Sequence, residues 1–272
     1  MATAANAKKT KRPPMSKSSR AILIVLIISV VILVAAIAVW ASMIRYFTVV
    51  DESGELVATF FGKVSRETGD ALEGKITYAD GTTAEITDGN HVKFSNGNVY
   101  DGGFTNLTMD GKGKLTYANG DVYEGTFAAG KFSGNGVYRY LNGDVYEGEL
   151  RAGEITGTGT YTWKDGSSYV GNFKKGIRDG YGTFTWSNGD VYVGTFVAGA
   201  KSGSGEYRWV NGDKYVGDFA NDAAEGKGTM LWHSGESYTG DFKGWLMDGE
   251  GTYTWPNGHT FTGLFSGGKR VE

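Results

Sequence analysis

Cysteine is absent from the 272 residues of this chain, which removes disulfides, thiolate metal sites and cysteine nucleophiles. Proline is nearly absent, at three residues, so no long proline-rich segment exists. Acidic residues are missing from the first 50 positions, where Lys8, Lys9, Lys11, Arg12, Lys17, Arg20 and Arg45 supply seven positive charges. The chain after Arg45 therefore carries a net charge of −10, although the whole chain carries only −3. That sign argues against nucleic acid as a partner, because phosphate contacts need clustered Lys and Arg. It equally opposes simple electrostatic docking on anionic lipid.

Long apolar runs are also lacking, with one exception. Ala21 to Ala41 holds 21 residues with no charge and a single serine. At ~1.5 Å per residue such a helix spans a bilayer core of ~30 Å, and only a helix satisfies every backbone group of a lone segment in lipid. The spacing predicts a transmembrane helix over residues 21–44, with Trp40, Arg45 and Tyr46 in the interfacial belt. Residues 1–20, basic and with Pro13-Pro14, are expected to be a disordered cytoplasmic tail. The positive-inside bias makes this a single-pass protein of the cell membrane, with the N-terminus cytoplasmic and the remainder extracytoplasmic. A cleavable signal is the alternative, since Ala36-Ile37-Ala38 has small residues at peptidase offsets, although the run exceeds the usual apolar region of ~7 to 15 residues.

Glycine, by contrast, is abundant and phased: 44 glycines accompany 14% aromatic residues. Tyr-x-Gly-x-Phe recurs every 23 residues, at Tyr100, Tyr123, Tyr146 (closing on Leu150), Tyr169, Tyr192, Tyr215, Tyr238 and, with Phe in place of Tyr, Phe261. A preceding half-unit opens on Gly113 and its equivalents and closes seven residues later on a turn glycine such as Gly120 or Gly166. A fixed period of this length means a repeat array. Asn-Gly before the Tyr segments, with Asp165-Gly166 and Ser234-Gly235 as variants, predicts a β-hairpin per unit, with a two-residue type I′ turn. That register pairs Thr162 with Tyr169 and Thr160 with Gly171, and puts aromatics on both faces of the sheet. Residues 45–88 keep the first half-unit at Gly74 to Gly81 but lose Tyr-x-Gly-x-Phe, as expected of a degenerate capping segment, leaving eight tandem units in 89–272.

This pattern resembles the MORN (membrane occupation and recognition nexus) repeat family, over roughly Gly89 to Gly267. The resemblance implies an all-β fold: one elongated antiparallel sheet of tandem 23-residue β-hairpins, here preceded by the transmembrane helix. It also implies a scaffold, a dimerisation surface or a lipid contact, and no enzyme.

The residues offer little chemistry of their own. His91, His233 and His259 occupy unrelated repeat positions, and Gly-Lys-Gly at 111–113 and 226–228 lacks the rest of a phosphate loop. No catalytic residue, cofactor or metal site is expected. The acids after the turn glycine, Asp121, Asp144, Asp190, Asp213 and Glu236, are expected to be solvated. The candidate binding residues are an aromatic ladder, Trp163, Trp186, Trp209, Trp232 and Trp255, supported by Tyr169, Tyr192 and Tyr215. Packing accounts for such ladders too. The function expected is a membrane-anchored, non-catalytic scaffold for an unidentified protein partner; a cell-envelope glycan or lipid headgroup is the alternative. Open strand edges at 50–61 and 261–265 suggest a homodimer.

Overall fold

Two turn chemistries alternate along this chain, and together they set the whole architecture. The computed structural model describes residues 17–271. Helix α1, Lys17–Met43, runs directly into the first strand, Ile44–Val50. Of the tail expected over 1–20, residues 1–16 lie outside the described residues, but Lys17–Arg20 are helical rather than irregular: no proline stands between Pro14 and the apolar run to stop the helix from extending beyond it. Ile24–Met43, 20 residues, is long and apolar enough to cross a membrane. Twenty-one strands follow, each antiparallel to its sequence neighbour, in one open sheet.

The Asn-Gly and Asp-Gly sites are not two-residue turns. At Trp163–Ser167 the Gly166 N–H donates to the Trp163 carbonyl (3.0 Å) and the Trp163 N–H to the Ser167 carbonyl (2.9 Å), closing a three-residue loop. Only Gly166 has positive φ (91°), so this is a type I turn followed by a left-handed glycine. The residue before that glycine is chosen for its side chain: Asp165 Oδ1 accepts the Ser167 N–H (2.8 Å), and Asn119 and Asn188 do the same in their units. The type I′ turns sit instead in the connections, where Lys175 (φ 50°) and Gly176 (φ 77°) join Lys174 to Ile177.

The extra loop residue slips the expected register by one. Tyr161 pairs with Tyr169, Thr160 with Val170 and Gly159 with Gly171. A one-residue slip inverts a strand's faces. Tyr161, Trp163, Tyr169 and Phe173 therefore share one face, and the aromatics expected on both faces are gathered on it, while Thr158, Thr160 and Val170 lie on the other.

A row of glycines crosses this face, one per strand, from Gly102 and Gly113 to Gly251 and Gly263. The ring of each unit's own tyrosine lies over two of them: a Cβ on Gly182 would meet the Tyr169 ring at 2.5 Å. The gap expected to admit a neighbouring ring is thus filled from within the unit. Each hydroxyl then reaches the carbonyl three residues on, as Tyr169 Oη does at Asn172 (3.0 Å). Phe196 and Phe173 meet Tyr169 edge-on at 5.1 Å each, and the Tyr–Phe herringbone continues through Phe265. Each such pair contributes ~0.5–1.5 kcal/mol beyond burial.

The turn acids are not free in solvent either. Asp190, buried, accepts the Val210 N–H (2.9 Å) and the Tyr207 hydroxyl (3.0 Å) of the next unit. Asp121, Asp144 and Asp213 receive the N–H of Leu141, Lys164 and His233, and Asn98 and Ser167 take the same place for Ala118 and Ser187. The position facing Glu236 is Pro256, which has no N–H to give. The acids are bolts between units.

Of the strand edges expected to be open, Leu56–Val64 is paired on both sides; Ile44–Val50 is the free edge. At the other end Lys269–Arg270 begins to cover Thr260–Ser266.

Candidate binding face

Because each loop holds three residues, the ladder side chain directly before it stays on the aromatic face yet lies at the sheet margin. Trp163, Trp186, Trp209, Trp232 and Trp255 are accordingly half-buried. Between them lie residues two positions earlier in each strand, giving a zigzag: Tyr161 to Trp163 (4.6 Å), Trp163 to Phe184 (5.1 Å), Phe184 to Trp186 (4.4 Å), Trp186 to Tyr207 (5.1 Å) and Tyr207 to Trp209 (4.5 Å). Tyr169, Tyr192 and Tyr215 lie deeper and are fully enclosed, with no surface to offer a ligand. Burial pushes the Tyr192 hydroxyl pKa up to about 12. These tyrosines support the tryptophan row from beneath.

The zigzag is interrupted once. Met230 stands where the other units have Tyr161, Phe184 or Tyr207, and Trp245 swings in against Trp209 (5.5 Å, 70°) and Tyr207 (5.8 Å). Trp245 occupies the second position of a type I′ connection with φ 71°, where five other units carry glycine. A left-handed conformation costs a non-glycine residue roughly 1–2 kcal/mol. The space it enters is left by Ala224, whose counterparts at the 23-residue spacing are Arg178, Lys201 and Met247.

Two of those counterparts are cations under aromatic rings. Arg178 lies over Phe184 (4.9 Å) and Phe196 (5.1 Å) and donates to the Gly199 carbonyl (2.8 Å). Lys201 is 9% exposed, and its ammonium lies 5.0 Å from the Tyr207 ring, 5.2 Å from Trp186 and 5.8 Å from Trp245. Burial lowers its pKa, and the charge of Asp222 opposes that shift. Lys201, Trp209, Met230, Trp232, Trp245 and Met247 line a cavity of about 640 Å³.

Sequence reasoning passed over Trp245 because it stands outside the ladder period, and over Lys201 because a lysine between glycines reads as solvated. The signal available was the column Arg178, Lys201, Ala224, Met247: a repeat position that changes character where Trp245 appears. Among the described residues no group of three or more His, Asp and Glu is placed to hold a metal ion.

The unit that builds this face is the deciding observation. The MORN repeat family model matches seven consecutive units, residues 100–122, 123–145, 146–168, 169–191, 192–214, 215–237 and 238–260. The chain belongs to the MORN repeat family. The MORN units each run from a buried tyrosine to the next, and the eighth copy at Phe261 continues their pairing. No curated protein matches the chain by sequence. Similar solved structures include the TCP10 domain of Danio rerio CPAP with a STIL peptide, at 12% identity over 81% of this chain and all (100%) of that one, TM-score 0.42. Another is the Drosophila melanogaster SAS-4 (dCPAP) TCP domain with a proline-rich motif of Ana2, at 17% identity over 57% and 84%, TM-score 0.38. Nothing about this chain's partners follows from likenesses so slight. The seven tandem matches make the chain a repeat scaffold.

Proposed function

We propose that this MORN protein is a membrane-anchored scaffold that grips a protein partner along the tryptophan margin of its sheet. The observation that carries the proposal is the half-burial of Trp163, Trp186, Trp209, Trp232 and Trp255 on one side of one face. Rings fixed below and open above give large contact area at little entropic cost, and Trp is the side chain most enriched in energetic hot spots. Successive units are two strands apart, so a partner meets the same ring every ~10 Å. Binding is then multivalent, each unit adding a modest contact.

The anchor is α1, with the basic N-terminus in the cytoplasm and the repeats on the far side, following the lysine and arginine bias before the helix. The unpaired edge Ile44–Val50 emerges straight from the helix, and we place a homodimer contact there, read out by the mass of the full chain in detergent.

The partner test is cross-linking and pulldown from intact cells with the Trp186→Ala, Trp209→Ala double variant. Loss of captured protein with circular dichroism and unfolding midpoint retained supports the scaffold; loss of folding assigns these rings to packing alone. An aromatic margin also suits a cell-envelope glycan or a lipid headgroup. Sedimentation of the wild-type protein with purified wall polysaccharide, or flotation with vesicles, in the absence of any captured protein would reassign the face. Protease digestion of intact cells tests the topology: repeats protected while a tag at the N-terminus is cut would reverse it.

A further inference from the structure

The cavity under Trp209, Trp232 and Trp245 contains a feature that a merely structural gap does not need, namely the ammonium of a side chain only 9% exposed, whose Nζ still opens to solvent. Lys201 Nζ has three protons to donate. No acceptor meets it within hydrogen-bond distance and no carboxylate within ion-pair distance among the described residues; Asp222 takes the Lys201 backbone N–H (2.9 Å) instead. The rings around it offset part of the cost of removing charge from water but saturate none of its donors. Arg178, one unit earlier, shows the alternative, since its guanidinium is closed by the Gly199 carbonyl. Replacing that cation by Ala224 one unit later, and holding Trp245 in a left-handed turn to roof the space, leaves a lined opening beside Lys201 rather than a packed one. Strained residues of this kind cluster at binding sites.

We infer that this cavity is a specificity pocket for an acidic side chain, Asp or Glu, presented by a partner polypeptide beside a leucine-sized or aromatic residue. The carboxylate pairs with Lys201, and the apolar neighbour fills the space between Trp232, Met230 and Met247. At about 640 Å³ the cavity has the size of pockets that take such groups, ~300–1,000 Å³. A polypeptide suits it better than a single small molecule because the mouth lies on the tryptophan margin: an extended chain advances ~3.3 Å per residue, so with one residue in the pocket, those about five positions away reach Trp186 on one side and Trp255 on the other. The inference rests on the protein-binding reading of that margin.

The test uses the full-length protein in detergent micelles over an array of capped 12-residue peptides. Each carries Asp or Glu within two residues of Trp, Phe or Leu, beside a counterpart with Asn or Gln. Retention at least tenfold stronger on the acidic member of each pair is expected. Lys201→Met abolishes that preference, Lys201→Arg keeps it, and Lys174→Gln, at an exposed lysine outside the cavity, leaves it unchanged. Equal retention of acidic and amide peptides, or a preference that survives Lys201→Met, overturns the inference. Acid-blind retention that still requires Trp186 and Trp209 would overturn the pocket and leave the scaffold standing; no retention of any peptide, with dodecanoate bound in a Lys201-dependent way, would overturn both in favour of a lipid ligand. The comparison on the unmutated protein keeps the result decisive if a Lys201 variant fails to fold.

Discussion

The first five strands, which hold the capping segment and run from Ile44 to Phe94, and the regular units after them face the same difficulty, a sheet with no second layer to cover it, and cover it with different side chains. In the cap, Ala58, Ile76, Ala84, Ile86 and Val92 are buried, an aliphatic patch. In the units the cover is a Tyr–Phe herringbone laid over a row of glycines. Phe60 explains the difference. It lies over Gly62 and Gly74 as a unit tyrosine would, but the next strands present Ile86 and Val92 where the units have glycine. A ring can lie flat on a sheet only where two adjacent strands both omit a side chain. Where they do not, small branched residues fill the same height, and the pattern cannot propagate. Phe60 and Phe261, at either end of the row, also lack the hydroxyl that seven internal tyrosines use.

The sharpest way to break this comparison is to put a methyl group into the glycine row. Gly182→Ala would place a Cβ 2.5 Å from the Tyr169 ring, which Phe173 and Phe196 hold in place, so the ring cannot step aside. A loss of about 3 kcal/mol is expected by urea unfolding of the detergent-solubilised chain, at the upper end of overpacking effects. A loss under ~1 kcal/mol would mean that the tyrosine is not clamped. Next comes the bolt between units. Asp190→Ala strands the Val210 N–H and the Tyr207 hydroxyl and should cost about 2 kcal/mol, whereas Glu236→Ala, opposite Pro256, should cost under ~0.5 kcal/mol. Equal losses would deny the inter-unit role.

A smaller effect is expected from Tyr169→Phe, which converts a unit ring into the Phe60 type. It leaves the Asn172 carbonyl without its donor and should cost about 1 kcal/mol by the same measurement, while Phe60→Tyr should gain nothing. The smallest effect per residue is that of acid. The amide N–H of Leu141 and of Lys164 holds Asp121 and Asp144 below the usual carboxylate range. Burial pushes Asp190 and Asp213 the other way and is outweighed by the Val210 and His233 amides with their side-chain donors. A depressed native pKa adds stability that is complete above the unfolded value, ~3.9, and is lost as pH falls below it. Protection against hydrogen exchange, referred to the intrinsic rate at each pH, should therefore fall between pH 5 and pH 3 in strands 122–231 before it does in 56–87, where carboxylates bond only within their own turns. Simultaneous opening would refute the role of the acids.

Much of this was legible beforehand from the phase of a few residues. The 23-residue spacing of glycine and tyrosine determined a single antiparallel sheet of hairpins, because glycine punctuates strands wherever the backbone needs positive φ or a ring needs room. The run from Ala21 determined a helix long enough for a membrane, because nothing in it could satisfy water. The register escaped, since a loop of two residues and one of three share the same Asn-Gly signal, and their difference of one inverts every side chain. That single residue decided that the aromatic columns of the Trp ladder and of Tyr-x-Gly-x-Phe share a face, that Tyr169 is enclosed and Trp163 half-open, and that Asp190 reaches Val210. Lys201 and Trp245 were further out of reach. They are 44 positions apart in sequence, at different repeat positions of units separated by one other, and meet only because stacked strands bring successive connections to one margin of the sheet, a juxtaposition that belongs to the sheet and to no segment of the chain.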